Sequence, residues 1–342
     1  MMNIKELVRE NIKNLAPYST ARDDYQGGEL GIFLDANENP YQSGYNRYPD
    51  PHQIKLKEQL SKIKGVGVQH IFIGNGSDEP IDLLFRVFCD PGVHNAISIT
   101  PTYGMYRVSA DINNVEMREV SLKADFSLDC GAIIAASDAQ SRLLFLCSPN
   151  NPTANLLAVG DVEWLLDNFK GIVVVDEAYI DFAASEGFLP RLAEFENLVV
   201  LQTLSKAWGM AGLRLGLAFA SEYIVGLMSR VKYPYNINIV TQKLVGELLQ
   251  TPIESVVAQI VEQREIVAAA ISSASVVRHI YPSDANFLLV EVDDAPKIYQ
   301  ALIGEGIIVR DRSRVHGCGG CLRITIGTPA ENDRLIEKIN SL

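Results

Sequence analysis

The chain has 342 residues, 47% hydrophobic and 21% charged, and its 30 lysines and arginines against 42 aspartates and glutamates leave a formal charge of −12. At about 100–200 residues per domain, this length predicts two domains with a large core, and the composition excludes intrinsic disorder. A chain this acidic is repelled by phosphate backbones and anionic bilayers, which argues against nucleic acid and membrane as general partners.

In chain order, Ile4, Leu7, Val8, Ile12 and Leu15 recur at helical spacing. They predict a short amphipathic helix that stops at Pro17 and folds onto the second domain or a partner subunit. Lys5, Glu6, Arg9 and Glu10 interrupt it, so no secretory segment is predicted. A loop rich in Gly, Asn and Pro follows, through Gly27, Gly28, Asn37, Asn39, Pro40 and Pro49. From about Ile54, helical stretches alternate with apolar runs at Ile71–Ile73, Ala96–Ile99, Leu143–Cys147, Ile172–Val175, Leu198–Leu201 and Leu215–Ala220. Continuous β-branched and Leu runs between helices predict strands buried on both faces of a mostly parallel, doubly wound sheet, an α/β domain.

After Pro234 the texture changes. One long helical stretch is predicted over about Ile239–Ser272, then strands over Asn286–Val292, Ile307–Arg310 and Leu322–Ile326, with helices near Ala295–Gly304 and Ala330–Ile339. The predicted organisation is an N-terminal arm over 1–27, a large domain over 28–233 and a smaller α+β domain over 234–342. No apolar run reaches the roughly 18 residues that span a bilayer, so the expected location is the cytoplasm.

In open α/β sheets, ligands bind beyond the carboxyl ends of the strands. Gly74-Asn75-Gly76-Ser77-Asp78-Glu79 follows the first run, a tight turn in which Ser77 caps a helix whose first amides can receive an anion. Ser148-Pro149-Asn150-Asn151-Pro152-Thr153 follows the third, Asp176-Glu177-Ala178-Tyr179 the fourth, and Gln202-Thr203-Leu204-Ser205-Lys206 the fifth, with Arg214 eight residues on. One crevice would therefore collect an anion nest, an Asn, an Asp, a Tyr, a Ser, a Lys and an Arg. Pyridoxal phosphate (PLP) asks for this set: an amine to condense with its aldehyde, a carboxylate to keep its ring nitrogen protonated, donors to its phenolic oxygen, and groups for its phosphate. Singly, each element reads as an ordinary cap or turn, and only the ordered set is informative.

His316, Cys318 and Cys321 include a Cys-x-x-Cys spacing, but with neither a fourth ligand nor a second pair they read as a loop, and no metal is predicted. Cys89, Cys130 and Cys147 read as small core hydrophobes. Five cysteines in all do not suggest a disulfide framework.

Asn151-Pro152-Thr153, Asp176-Glu177-Ala178-Tyr179, Ser205-Lys206 with Arg214, and Cys321-Leu322-Arg323-Ile324-Thr325 resemble the fold-type I PLP-dependent aminotransferases over nearly the whole chain. Asn37-Glu38-Asn39-Pro40, Arg47-Tyr48-Pro49-Asp50, Pro101-Thr102-Tyr103-Gly104-Met105-Tyr106 and Gly317–Thr325 narrow the resemblance to the histidinol-phosphate aminotransferase family. The resemblance implies that Lys206 condenses with the cofactor aldehyde, Asp176 pairs with the ring nitrogen, and Tyr179 and Asn151 hold the phenolic oxygen. It implies that Tyr103 stacks on the ring, and that Gly76, Ser77, Asp78, Ser205 and Arg214 form the phosphate end. Tyr48 would reach the cofactor of the other subunit, implying a homodimer with shared sites. Arg323, Arg310, Tyr18 and Asn37 would line the substrate pocket. One departure stands out: Ala154 follows Asn-Pro-Thr where the family commonly has Gly, and a turn there with positive φ suits Ala less well.

The implied reaction moves the amino group of L-histidinol phosphate to 2-oxoglutarate, in histidine biosynthesis. An aromatic amino-acid aminotransferase or a phosphothreonine-type decarboxylase would keep the same cofactor residues and differ in the pocket. A non-catalytic PLP-fold regulator would need room for a DNA-binding module, and the motifs begin within the first forty residues. An NAD-type enzyme would need a Gly-x-Gly-x-x-Gly turn that the chain lacks.

Overall fold

The apolar runs of the first 220 residues become strands of one seven-stranded sheet in the computed structural model, which describes residues 3–18 and 32–342. They are β1 (Ile71–Asn75), β2 (Asn95–Thr100), β3 (Glu116–Ser121), β4 (Ser141–Cys147), β5 (Ile172–Asp176), β6 (Leu198–Thr203) and β7 (Leu215–Phe219), in the spatial order β1-β7-β6-β5-β4-β2-β3. Neighbours from β6 to β3 run parallel, and β7 is antiparallel to both β1 and β6. The five central strands from β2 to β7 are buried along almost their whole length, as expected for a sheet covered on both faces.

The arm forms two short helices, α1 (Ile4–Leu7) and α2 (Glu10–Lys13). Between them Val8 turns extended, and the Arg9 amide donates to the Val87 carbonyl. The rest of the large unit adds α3 (Ile54–Lys64), α4 (Asp78–Phe88), α5 (Met105–Ile112), α6 (Cys130–Ala136), α7 (Val159–Asn168) and α8 (Glu222–Val231). One face of the sheet packs against α4, α5, α8 and the arm; the other packs against α3, α6 and α7. The arm therefore buries Ile4, Leu7, Val8 and Ile12 on its own large sheet, not on the second domain.

The predicted long helix is two helices, α9 (Ile239–Leu248) and α10 (Glu254–Ile271). Pro252 lies in the break and has no amide to continue the ladder. The second sheet is antiparallel: β8 (Val277–Ile280), β9 (Phe287–Val292), β10 (Arg310–Asp311) and β11 (Cys321–Thr325), in the order β10-β11-β9-β8. One face packs against α10, α11 (Ala295–Gly304) and α12 (Pro329–Asn340). The other face meets the large unit through Phe287, Tyr179, Phe182 and Ala154. β3 and β8 were not among the predicted strands; β3 is a polar edge strand and β8 is four residues, largely exposed. Gly27 and Gly28 lie outside the described residues. Among the described residues, no helix is long and apolar enough to cross a membrane.

Candidate active site

The carboxyl ends of β1, β4, β5 and β6 converge on a cleft lined by Ser77, Asp78, Tyr103, Cys147, Asn151, Asp176, Ala178, Tyr179, Thr203, Ser205, Lys206 and Arg214. The turn after β1 is shaped by Gly76, whose φ of +74° suits a residue without a Cβ. A Cβ there would also collide with the Arg214 guanidinium. The Gly76 amide donates to the Arg214 carbonyl at 2.9 Å, and Arg214 itself is left-handed at φ 52°. These contacts bring the start of β7 against the first turn of α4, where Arg214 Nη2 stands 3.6 Å from Asp78 Oδ2. Ser77 is the residue before α4, but its hydroxyl makes no capping bond.

Asp176 ends β5, only 3% exposed. Its Oδ2 accepts from the Tyr106 hydroxyl at 2.6 Å and its Oδ1 from the Ala178 amide at 3.1 Å. Burial pushes this carboxyl up to about 6, while those two bonds pull the other way. Lys206 faces it from the loop after β6, with Nζ 5.6 Å from the centre of the Tyr179 ring. Burial, then Arg323, lowers the Lys206 ammonium from its ordinary value. A lysine so placed offers more free amine near neutrality than one in water.

The set fits PLP. A deeply buried carboxylate without a salt bridge among the described residues seeks a cation, and a protonated pyridine nitrogen is one. Lys206 has the amine that PLP's aldehyde needs, and Ser77, Ser205 and Arg214 bring hydrogen-bond donors to the same cleft. Tyr103 donates to Asp78 Oδ1 at 3.0 Å, which holds its ring along one wall, and burial followed by Asp78 pushes its phenol upward. Asn151 Nδ2 stands 3.4 Å from the Tyr179 hydroxyl, and Arg323 Nη1 donates to Asn151 Oδ1 at 2.6 Å. A side chain of the small sheet thus reaches across to the cleft.

Lys206, Asp176, Tyr179, Asn151, Tyr103, Ser77, Asp78, Ser205 and Arg214 therefore share one cleft, with Gly76 at its edge and Arg323 against Asn151. Arg310 stands opposite Arg323 on the small sheet, outside the cleft lining. Tyr48, Asn37 and Tyr18 are not brought to it. Tyr48 stacks on Tyr235 with ring centroids 4.4 Å apart, and its amide donates to Glu38, which also pairs with Arg47 at 2.6 Å. Tyr18 is exposed beside Pro17, Pro51 and His52. The Cys318 and Cys321 thiols are buried against Phe126 and Leu289, and His316 Nε2 meets Ser121 Oγ at 3.1 Å.

The Ala154 turn does take a positive φ, +66°, with its amide donating to Asn150 and its methyl buried among Tyr179, Phe182 and Phe287. Tyr106 was missed as a site residue. The signal available was a hydroxylated aromatic one helical turn after Tyr103, on the buried face of α5. Its ring stacks on Phe145 and meets Tyr103 edge-on.

The sequence profile described as Aminotransferase class I and II matches residues 32–339. A histidinol-phosphate aminotransferase of Parabacteroides distasonis is 52% identical over 344 aligned positions, covering 100% of this chain and 99% of the relative. Among solved structures, the histidinol-phosphate aminotransferase of Clostridium acetobutylicum superposes with a TM-score of 0.80 at 21% identity, over 87% of this chain and 91% of that one. The histidinol-phosphate aminotransferase of Sinorhizobium meliloti, in complex with pyridoxal-5'-phosphate, gives 0.78 at 21% identity, over 86% and 82%. The two superpositions establish a shared fold.

Proposed function

This chain belongs to the aminotransferase class I and II family, and on that premise we propose that it transfers the amino group of L-histidinol phosphate to 2-oxoglutarate, with PLP as cofactor. The observation that carries the choice of donor is the 52% identity, end to end, to a histidinol-phosphate aminotransferase. The cleft supports the chemistry. PLP, when bound, supplies an aldehyde that condenses with amines and a ring that takes up negative charge.

The residues divide the remaining work. Lys206 Nζ, whose ammonium burial and Arg323 lower from its ordinary value, would carry the proton between the donor carbon and the cofactor's aldehyde carbon. Asp176, fixed through both oxygens, holds the ring nitrogen in its charged form. Asn151 and Tyr179 hold the phenolic oxygen, and Tyr103 covers the ring. Ser77, Ser205 and Arg214 hold the cofactor phosphate, with the Gly76 turn admitting its close approach. Arg323, with Arg310 beside it, receives the distal anion, and its planar fork suits phosphate and carboxylate alike. Two substrates then use one site in turn, so double-reciprocal plots should be parallel.

A homodimer with shared sites, in the cytoplasm, belongs to the same proposal. The exposure of Ile32, Leu34, Tyr41 and Tyr45, which precede Tyr48 in the sequence, supports it, because exposed large apolar side chains in one segment commonly meet a partner. Within that dimer, Tyr48 would serve the partner's cofactor phosphate, and Tyr18 and Asn37 the substrate pocket.

Parallel assays with L-histidinol phosphate, phenylalanine and phosphothreonine test the function. The expected result is fastest transamination of histidinol phosphate, falling by at least about a thousandfold in Lys206→Ala. Carbon dioxide release from phosphothreonine, or preference for phenylalanine, would refute the proposed donor.

A further inference from the structure

The small sheet presents a group of three cations, of which Arg323 alone hydrogen-bonds a residue lining the cofactor cleft among the described residues. Arg310 of β10 stands directly opposite Arg323 of β11 in the antiparallel register. The Arg312 amide continues that ladder by donating to the Cys321 carbonyl at 2.9 Å. Since side chains alternate faces along a strand, Arg310, Arg312 and Arg323 emerge on the same face. This is the face that carries Phe287, over whose ring the Arg323 guanidinium sits at 5.4 Å, and that meets Tyr179 and Asn151 of the cleft. Leu322 and Ile324 take the other face, against α11 and α12.

Three like charges so arranged repel one another, and cross-strand pairs of like charge are destabilising. Among the described residues, no carboxylate pairs with any of the three. Among the described residues, neither Arg310 nor Arg312 has a side-chain hydrogen bond or an ion pair. Asp311, the nearest acid in sequence, points to the opposite face and accepts from the Ser313 amide at 2.8 Å. Two of the guanidinium groups, those of Arg312 and Arg323, also hold a buried Nε–H with no acceptor among the described residues. Buried donors left open beside uncompensated cations imply an anion that accepts from them. Burial, then Arg323 and Arg310, lowers the Arg312 guanidinium, which agrees with a charge held near its like without a partner.

We propose that Arg312 is a specificity-determining residue that joins Arg310 and Arg323 in a three-guanidinium subsite for the dianionic phosphate of the amino donor. This deepens the proposed function and rests on it for the identity of the donor. A phosphate dianion offers three acceptor oxygens and two charges, enough to engage all three forks. A carboxylate offers two oxygens and one charge, which Arg323 and Arg310 already match. Arg312 thus favours the phosphorylated donor over the dicarboxylate that shares the site.

The test uses the PLP-loaded enzyme and R312Q. KM for L-histidinol phosphate should rise by roughly ten- to hundredfold, with kcat moved far less, and KM for 2-oxoglutarate should rise by a much smaller factor. Without substrate, R312Q should melt at or above the wild-type temperature, since one of three repelling charges is gone. Inorganic phosphate, compared with chloride at matched ionic strength, should raise the melting temperature of the wild type more than that of R312Q. R312K should recover part of the affinity and R312M none. Equal losses for both substrates, an unchanged KM, recovery by R312M, or equal stabilisation of both proteins by phosphate would overturn the proposal. If the wild type rejects histidinol phosphate while phosphate still protects it through Arg312, the donor is wrong and the anion subsite stands.

Discussion

A carboxylate as deep as Asp176 persists in its charged form only where donors meet its oxygens, and the Tyr106 hydroxyl and the Ala178 amide are those donors. Its folded value, about 6, lies above the unfolded 3.8. It therefore burdens the cofactor-free fold at pH above about 4, fully so above about 6, and cofactor affinity should fall as pH drops through 6. Tyr106→Phe removes one charge-assisted hydrogen bond and leaves the ring in place, so PLP affinity should fall by roughly tenfold and its acid limb should move to higher pH. Fluorescence titration across pH 5 to 8 measures both, and an unshifted limb would count against this role. Glu177 next to it is also buried, accepting from Gln202 Nε2 at 3.0 Å and from the Phe188 amide, and burial pushes it up to about 7. With its folded value raised, its charge costs stability progressively from about pH 4.5 to 7. Glu177→Gln should therefore be tolerated better at pH 8 than at pH 5 by about 1–2 kcal/mol, with the Gln202 amide turned over so that its Oε1 accepts from the new Nε2. Urea unfolding at the two pH values decides this. At this scale, Lys206, Asp176 and Arg214 were legible because polar residues at the ends of buried strands face one crevice. Tyr106 was not, because an aromatic on a buried helix face looks like core until the sheet behind it is known.

The elements hold the site through turns more than through regular structure. The Asn150–Asn155 turn bridges both units: the Ala154 carbonyl accepts from the Asp284 amide, and Asp284 Oδ2 accepts from the Leu156 amide. Ala154 at φ +66° carries about 1 kcal/mol of left-handed strain, which its buried methyl largely offsets at about 0.8 kcal/mol. Ala154→Gly should therefore change stability by less than about 1 kcal/mol and leave Asn151 where it is, because Gly adds its own entropic cost on folding. A loss beyond about 2 kcal/mol in thermal denaturation would show that the methyl, not the turn, governs this junction. Periodicity read the six apolar strands and most helices, since continuous burial leaves a continuous apolar run. It did not read β3, whose exposed edge alternates with polar residues, nor the break between α9 and α10, where Pro252 interrupts a pattern that stays helical on both sides.

At the scale of the whole molecule, the net −12 contrasts with the cations Lys206, Arg214, Arg310, Arg312 and Arg323, which act electrostatically on one another. Large polyanions meet the net negative charge of the whole molecule, whereas small phosphates and carboxylates can meet these cations alone. The second sheet contributes through Arg323 on Asn151 and through Phe287 against Tyr179, so under the proposed function distal-anion binding and cofactor binding would share one junction. The most direct test of the central claim is a half-reaction followed by absorbance. Purified protein loaded with PLP is mixed with L-histidinol phosphate in the absence of any keto acid. The predicted result is stoichiometric loss of the visible band of the lysine-bound cofactor, with a near-ultraviolet amine form taking its place, and its return on adding 2-oxoglutarate with one glutamate formed per site. A cofactor spectrum that histidinol phosphate leaves unchanged, while another amino donor converts it, would contradict the account.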